Sequence, residues 1–174
     1  MHRIWPHKER GEGHFAAALR KEGSSGKSEK TVAKGKLDKQ LQKQYETFVE
    51  ENLQVSLKGQ PVLFGEQLYL LPELSPVLHG LKVIRPGLHV GTVKKNRIEP
   101  AHALSHALKF GQWKQCYQVT EQEAVRFLKG ETIMAEGLEK GWHLVCFREF
   151  PLGFAKYSGG MLKNHYPKGL RIIG

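Results

Sequence analysis

The segment Leu81–Leu104, LKVIRPGLHVGTVKKNRIEPAHAL, limits the fold most tightly, because it compresses apolar runs, turn chemistry and a helix start into one short stretch. Leu81, Val83 and Ile84 form an apolar run, Arg85-Pro86-Gly87 is a turn signal, and Leu88-His89-Val90 with Thr92-Val93 resumes β-forming residues around Gly91. The pattern predicts strand, turn, strand. Glu99 precedes Pro100, a residue favoured in the first helical turn, and Ala101, Leu104, Ala107 and Leu108 recur at helical spacing. From Lys82 to Arg97 there are five basic residues (Lys82, Arg85, Lys94, Lys95 and Arg97), no carboxylate, and one amide, Asn96. A basic loop at the mouth of a helix attracts phosphate, since free backbone N–H groups and the helix dipole add to the side-chain charge. A solvated, Lys-rich strand edge that resists aggregation would use the same residues.

Charge elsewhere in the chain points the same way. The formal net charge of +10 favours an acidic partner, with nucleic acid ahead of a membrane surface. Phe150–Gly174 also lacks carboxylates and carries Lys156, Lys163, Lys168 and Arg171, whereas Glu121–Glu149 holds six glutamates against four basic residues. No apolar run is long enough to span a bilayer, and the start of the chain lacks the charged-then-apolar design of a signal peptide, so a soluble cytoplasmic protein is expected. Cys116 and Cys146 stand alone without a CxxC partner, which suggests inert thiols and neither a zinc ribbon nor a disulfide framework.

At 174 residues the chain can bury a sizeable core, as one domain or two small ones. It opens with a hairpin-like pattern over residues 1–21, in which Ile4 and Trp5 lead into a turn at Gly11 and Gly13 and Phe15, Ala17 and Leu19 alternate. Such a hairpin is marginal alone, so it pairs with the sheet of this chain or is the end of an absent domain. Residues 22–36, rich in Gly, Ser and Lys, read as a flexible linker. A helix is expected from Leu37, with Leu41, Tyr45, Phe48 or Val49, and Leu53 on its buried stripe, followed by a hairpin of Val62–Phe64 and Leu68–Leu71 around Gly65-Glu66-Gln67. His102 and His106 are spaced i, i+4, but Ala103 occupies the place where a zinc protease helix needs Glu, so surface or interface histidines are expected. Gln112–Val119 reads as a connector. Thr120-Glu121-Gln122-Glu123 is a capping box that should start a helix burying Ala124, Phe127 and Leu128 and ending at Gly130. Short β-like runs at Thr132–Ala135, Trp142–Phe147 and Leu152–Tyr157 suggest a small barrel, with a final strand at Leu170–Ile173. Lys163, Asn164, His165, Tyr166 and Lys168 place basic and amide donors beside an aromatic ring, as irregular RNA requires; a polar turn with Tyr166 packed on the barrel fits equally.

The motifs RIWPHKERGEGHF, LKVIRPGLHVGTVKKNRIEPAHAL, LKGET, GWHLV, PLGFAK and GGMLKNHYPKGLR resemble the C-terminal third of the Sun-type (NSUN/RsmF-like) RNA cytosine-5 methyltransferases, particularly the bacterial RsmF-like group. The resemblance runs in order over nearly the whole chain outside the linker. It implies an α+β fold: a terminal strand pair of a methyltransferase domain at 1–21, a small α+β domain at 37–110, and a PUA-like, mostly-β RNA-binding barrel at 120–174. It further implies small-subunit ribosomal RNA as partner, with no DNA and no membrane. The residues expected to face RNA are Arg85, Lys94, Lys95, Asn96, Arg97, Lys156, Lys163, Asn164, His165, Tyr166, Lys168 and Arg171. The family's catalytic cysteines lie in Thr-Cys and Pro-Cys motifs; here Cys116 follows Gln115 and Cys146 follows Val145, and no glycine-rich loop for S-adenosylmethionine is present. A fragment or truncated product is therefore expected that binds RNA without catalytic residues, metal or cofactor of its own. Two other readings stay open: a ribosome-assembly module that contacts protein instead of RNA, and an independent enzyme using His102, His106 or Cys146, for which no third ligand or base stands at recognisable spacing.

Overall fold

A computed structural model of the chain describes residues 2–4, 14–16, 37–72, 80 and 82–172. The linker expected over 22–36, the turn of the first hairpin, and Leu81 and Ile173 lie outside the described residues. The hairpin itself consists of β1 (His2–Ile4) and β2 (His14–Ala16), paired antiparallel with Arg3 opposite Phe15. It forms one compact unit, and everything from the first helix onwards forms another.

In the larger unit α1 (Lys39–Asn52) begins where Asp38 accepts a hydrogen bond from the Leu41 N–H at 2.8 Å. This cap satisfies one of the N–H groups that a helix start leaves free. Leu41, Phe48 and Leu53 are buried, and Tyr45 and Val49 pack beside them, so the expected stripe faces the core. A four-stranded antiparallel meander follows: β3 (Gln60–Phe64), β4 (Gln67–Leu71), β5 (Leu88–Lys94) and β6 (Arg97–Pro100). Gly91 permits its close pairing, because a Cβ at that position would collide with the Glu99 carbonyl and the Ile98 side chain.

The Leu81–Leu104 segment differs from its sequence reading in three ways. Val83 and Ile84 are not in a strand, and Ile84 is 83% exposed. Both edges of β5 are already occupied, by β4 and β6, so the upstream run has no ladder to join there. The hairpin turn is Lys95-Asn96, and Arg97–Pro100 forms the outer strand. Pro100 ends that strand instead of opening a helix; at an edge, a residue without N–H removes no ladder bond. The helix α2 (His102–Ala107) starts two residues later.

The remaining elements are β7 (Cys116–Gln118), α3 (Glu121–Leu128), β8 (Ile133–Met134), β9 (Gly141–Phe147), β10 (Phe150–Ser158), β11 (Met161–Asn164) and a 3-10 turn at Lys168–Leu170. The strands form one sheet in the order β7-β9-β10-β11-β8, with β7 parallel to β9 and the other pairs antiparallel. Gly159 and Gly160 both have positive φ, the backbone that a two-residue hairpin turn demands between β10 and β11. Leu170–Ile172 is not the expected final strand: after Pro167 the chain makes the 3-10 turn and is tethered by the Ile172 N–H to the Leu128 carbonyl.

Alternation along β9 splits the interior into two packed clusters. Trp142, Leu144 and Cys146 face Phe48, Val90, Leu104, Trp113 and Phe154. His143 points to the other side, where Val145 packs with Ala124, Phe127, Ile133, Ala155 and Leu162 under α3. Gln112–Val119 is thus no passive connector: it contains β7 and the fully buried Trp113. The capping box is formed as expected, with the Glu123 N–H bonded to the Thr120 hydroxyl and the Glu123 carboxylate accepting from the Thr120 N–H. Thr120→Ala is expected to lower unfolding stability by about 1 kcal/mol, read from the urea midpoint, with Thr120→Ser close to wild type.

Candidate nucleic-acid interface

On the face of the sheet turned towards α1 and β6, three side chains stand abreast. Strand register puts Trp142 of β9 opposite Lys156 of β10, and Lys156 opposite Lys163 of β11. Lys156 Nζ lies 5.6 Å from the Trp142 ring centre, within reach of the ring's negative face. The His165 ring stands edge-on to the same indole, with ring centres 4.5 Å apart. Partial burial of this imidazole lowers its pKa; nearby Glu99 opposes that shift and Lys156 reinforces it. Two lysines directly opposite on one face repel each other, which a fold tolerates at a cost. The ion pairs among the described residues are Lys94–Glu66, Arg97–Glu99 and Arg126–Glu131, so neither Lys156 nor Lys163 is neutralised there.

Beside this row lies a groove of about 730 Å³. Its α1 bank presents Lys43 and Thr47, the β5–β6 turn and the start of β6 contribute Asn96 and Arg97, and Lys140, Trp142 and Lys156 close the sheet side. The structure therefore brings three of the sequence-selected residues, Asn96, Arg97 and Lys156, into one groove, while Lys163 stands opposite Lys156 and His165 touches Trp142. Lys43, Lys140 and Trp142 were not singled out from sequence. Lys43 lies on the exposed side of α1, outside its buried stripe, and the placement of Trp142 depends on pairing across the sheet.

The other selected residues are placed differently. Between Lys82 and Arg97 the sequence holds no carboxylate, yet folding supplies two: Glu66 pairs with Lys94 at 3.2 Å and Glu99 with Arg97 at 2.9 Å. Lys95 is exposed, and its carbonyl accepts from the Gln44 amide. Lys94→Ala with Lys95→Ala is therefore expected to weaken binding to a polyanion only about twofold to threefold, with a correspondingly small change in salt slope, measured by fluorescence anisotropy. Arg85 is exposed beside His89, and Lys168 is exposed on the 3-10 turn; neither lines the groove. Asn164 is a brace of the fold: its amide donates to the carbonyls of Phe127 and Glu131, and its oxygen accepts from the Tyr166 N–H. Tyr166 packs edge-on against His102 and Phe127. Arg171 lies against Gly130, with its guanidinium directed at the Tyr166 carbonyl. Of these three only Asn164 has its side-chain polar groups fully engaged; the Arg171 Nε is buried without a hydrogen-bond partner among the described residues.

The two histidines of α2 pair with each other, Nε2 to Nε2 at 3.0 Å. Among the described residues no group of three or more His, Cys, Asp or Glu converges as a metal site would require. The thiols of Cys116 on β7 and Cys146 on β9 are diagonal neighbours; the Cys146 thiol holds Cys116 down, to about 6, while the same contact and burial push Cys146 up. No helix among the described residues is long and apolar enough to cross a membrane.

Two family models match. Residues 47–108 match the RsmF rRNA methyltransferase first C-terminal domain, and residues 114–172 match the methyltransferase RsmF PUA domain. The chain is similar to the ribosomal RNA small subunit methyltransferase F of Shewanella oneidensis, at 25% identity over 184 residues, covering 96% of this chain and 37% of that protein. It has the same identity and coverage over 175 residues to the protein of that name from Vibrio vulnificus, and 27% identity over 107 residues to that from Erwinia tasmaniensis, covering 60% of this chain and 22% of the relative. The chain thus spans little more than a third of the length of the relatives it matches from end to end.

Proposed function

Because the chain belongs to the RsmF rRNA methyltransferase family, through that family's first C-terminal domain and its PUA domain, we propose that it is an RNA-holding module. It grips small-subunit ribosomal RNA in the cytoplasm so that a cytosine reaches the 5-methylating centre of a catalytic domain. The observation that carries this reading is the Trp142–Lys156–Lys163 row: two like charges in register, unneutralised among the described residues, beside an aromatic ring and a groove edged by further lysines. Keeping such a pair costs the isolated fold stability and benefits it only when a polyanion lies across both.

The methyl donor of this chemistry is S-adenosylmethionine, and the described residues do not fit it. A nucleotide-type cofactor needs a glycine-rich turn leading from a strand into a helix. The three α-helices among the described residues follow Asp38, Ala101 and Thr120. No step through the cofactor is assigned to this chain. Its lysines bind phosphate, its groove orients the strand, and the cysteine pair lies inside the β7–β9 packing with no role in the reaction.

The test is binding of the purified chain to small-subunit rRNA and to duplex DNA across a salt series. RNA-preferring binding whose logarithm falls steeply with the logarithm of salt concentration is expected. Equal, shallow binding to both would count against the reading. Association with ribosomal particles that survives nuclease and ignores salt would instead favour a protein partner.

A further inference from the structure

We infer that the groove between α1 and the sheet is a subsite for one or two unstacked nucleotides of single-stranded RNA, a claim that rests on the RNA-holding reading and narrows it. Its volume of about 730 Å³ lies within the range of sites that enclose small ligands, roughly 300–1,000 Å³. Duplex RNA cannot offer its bases to such a space, because they are stacked and paired and its deep groove excludes side chains. A single strand can.

The lining suits that ligand in three respects. Lys43, Lys140 and Lys156 supply positive charge from both banks, and none of them is in an ion pair among the described residues; Glu51 is the carboxylate that opposes them. Two amides of the lining, Gln40 and Asn96, are exposed and make no side-chain hydrogen bond to another described residue, whereas Gln44, Asn52 and Gln115 donate to Lys95, Phe48 and Glu139. A free carboxamide offers donor and acceptor together, the combination that reads the edge of an unpaired base. Trp142, only 8% exposed, underlies the Lys156 ammonium in the sheet-side wall, so it offers a base beside a Lys156-held phosphate an apolar floor and not a free stacking face. The two banks belong to segments far apart in sequence, α1 and β9–β10, and the subsite exists only where they meet.

The experiment fills the groove without altering charge. Thr47 is exposed and lines the α1 bank, so Thr47→Trp adds bulk there and removes no lysine. Affinity is measured for a ten-nucleotide single-stranded RNA and for a duplex RNA of equal length, with unfolding midpoints to establish that the variant is folded. A loss of tenfold or more for the single strand, with duplex affinity within twofold of wild type, supports the subsite. As a second probe without added bulk, Gln40→Ala with Asn96→Ala should bring the affinities for oligouridine and oligoadenosine together. If both sets bind single strands as wild type does and keep its base preference, the groove is not a subsite, although RNA holding stands. Wild-type chain that binds neither RNA overturns both claims.

Discussion

Replacing Lys156 and Lys163 together with alanine is expected to lower RNA affinity about tenfold at low salt and to make the plot of log affinity against log salt shallower by about 1.4. The slope follows from counterion release, at roughly 0.7 per phosphate contact on a single strand. The two lysines stand opposite each other on neighbouring strands and are not neutralised among the described residues, so both ammonium groups are available to one backbone. The same site predicts an opposite effect on stability. Lys163→Ala alone relieves the cross-strand repulsion while leaving Lys156 over the Trp142 ring, and should raise unfolding stability by a few tenths of a kcal/mol. Binding and stability moving in opposite directions is the signature of a charge pair kept for a ligand. Anisotropy titrations with a small-subunit rRNA fragment measure the first, and urea midpoints the second. Lys168→Ala, exposed and away from the groove, serves as the control for nonspecific charge.

The largest effect on stability is expected at Trp113. Its side chain is fully buried, its ring centre lies 4.7 Å from that of Phe154, and its indole N–H donates to the Trp142 carbonyl at 2.9 Å. Residues around it pair with the end of α1: the Lys114 N–H bonds to the Asn52 carbonyl and the Gln54 N–H to that of Gln112. Truncation to alanine would remove a large buried side chain from between Phe48, Trp142 and Phe154, a change that costs about 3–5 kcal/mol. Domains of this size have roughly 5–15 kcal/mol in total, so Trp113→Ala should leave much of the population unfolded at moderate urea. Trp113→Phe keeps most of the volume and loses the hydrogen bond, and should cost less than half as much. Equal midpoints for Trp113→Ala and wild type would mean that α1 and the sheet do not depend on this side chain.

Local chemistry was legible in the sequence wherever one segment carried the whole instruction. The capping box at Thr120–Glu123, the stripe of α1 and the hairpin around Gly65-Glu66 needed only near neighbours, and each is formed. Legibility failed where the partner lay far away. The apolar run before Arg85 resembles a strand, but the β5 ladder has no open edge for it. Pro100 fits a helix start and an edge-strand end equally well, and pairing with Gly91 decides the matter. Nothing near Asn164 or Tyr166 in sequence shows that Asn164 bonds to the Phe127 and Glu131 carbonyls or that Tyr166 packs on Phe127. The groove shows the converse. Its cations come from α1, from β6, from the segment before β9 and from β10, and only the register of β9, β10 and β11 shows that Trp142, Lys156 and Lys163 stand in one row.

The most direct measurement is a two-dimensional amide NMR titration of the chain with a single-stranded small-subunit rRNA fragment. Shift changes should concentrate on Lys43, Asn96, Lys140, Trp142, Lys156, Lys163 and His165, and fade as salt is raised. Changes centred instead on α3 and β8, with the Lys156–Lys163 row unmoved at saturation, would contradict the assignment of this face to RNA.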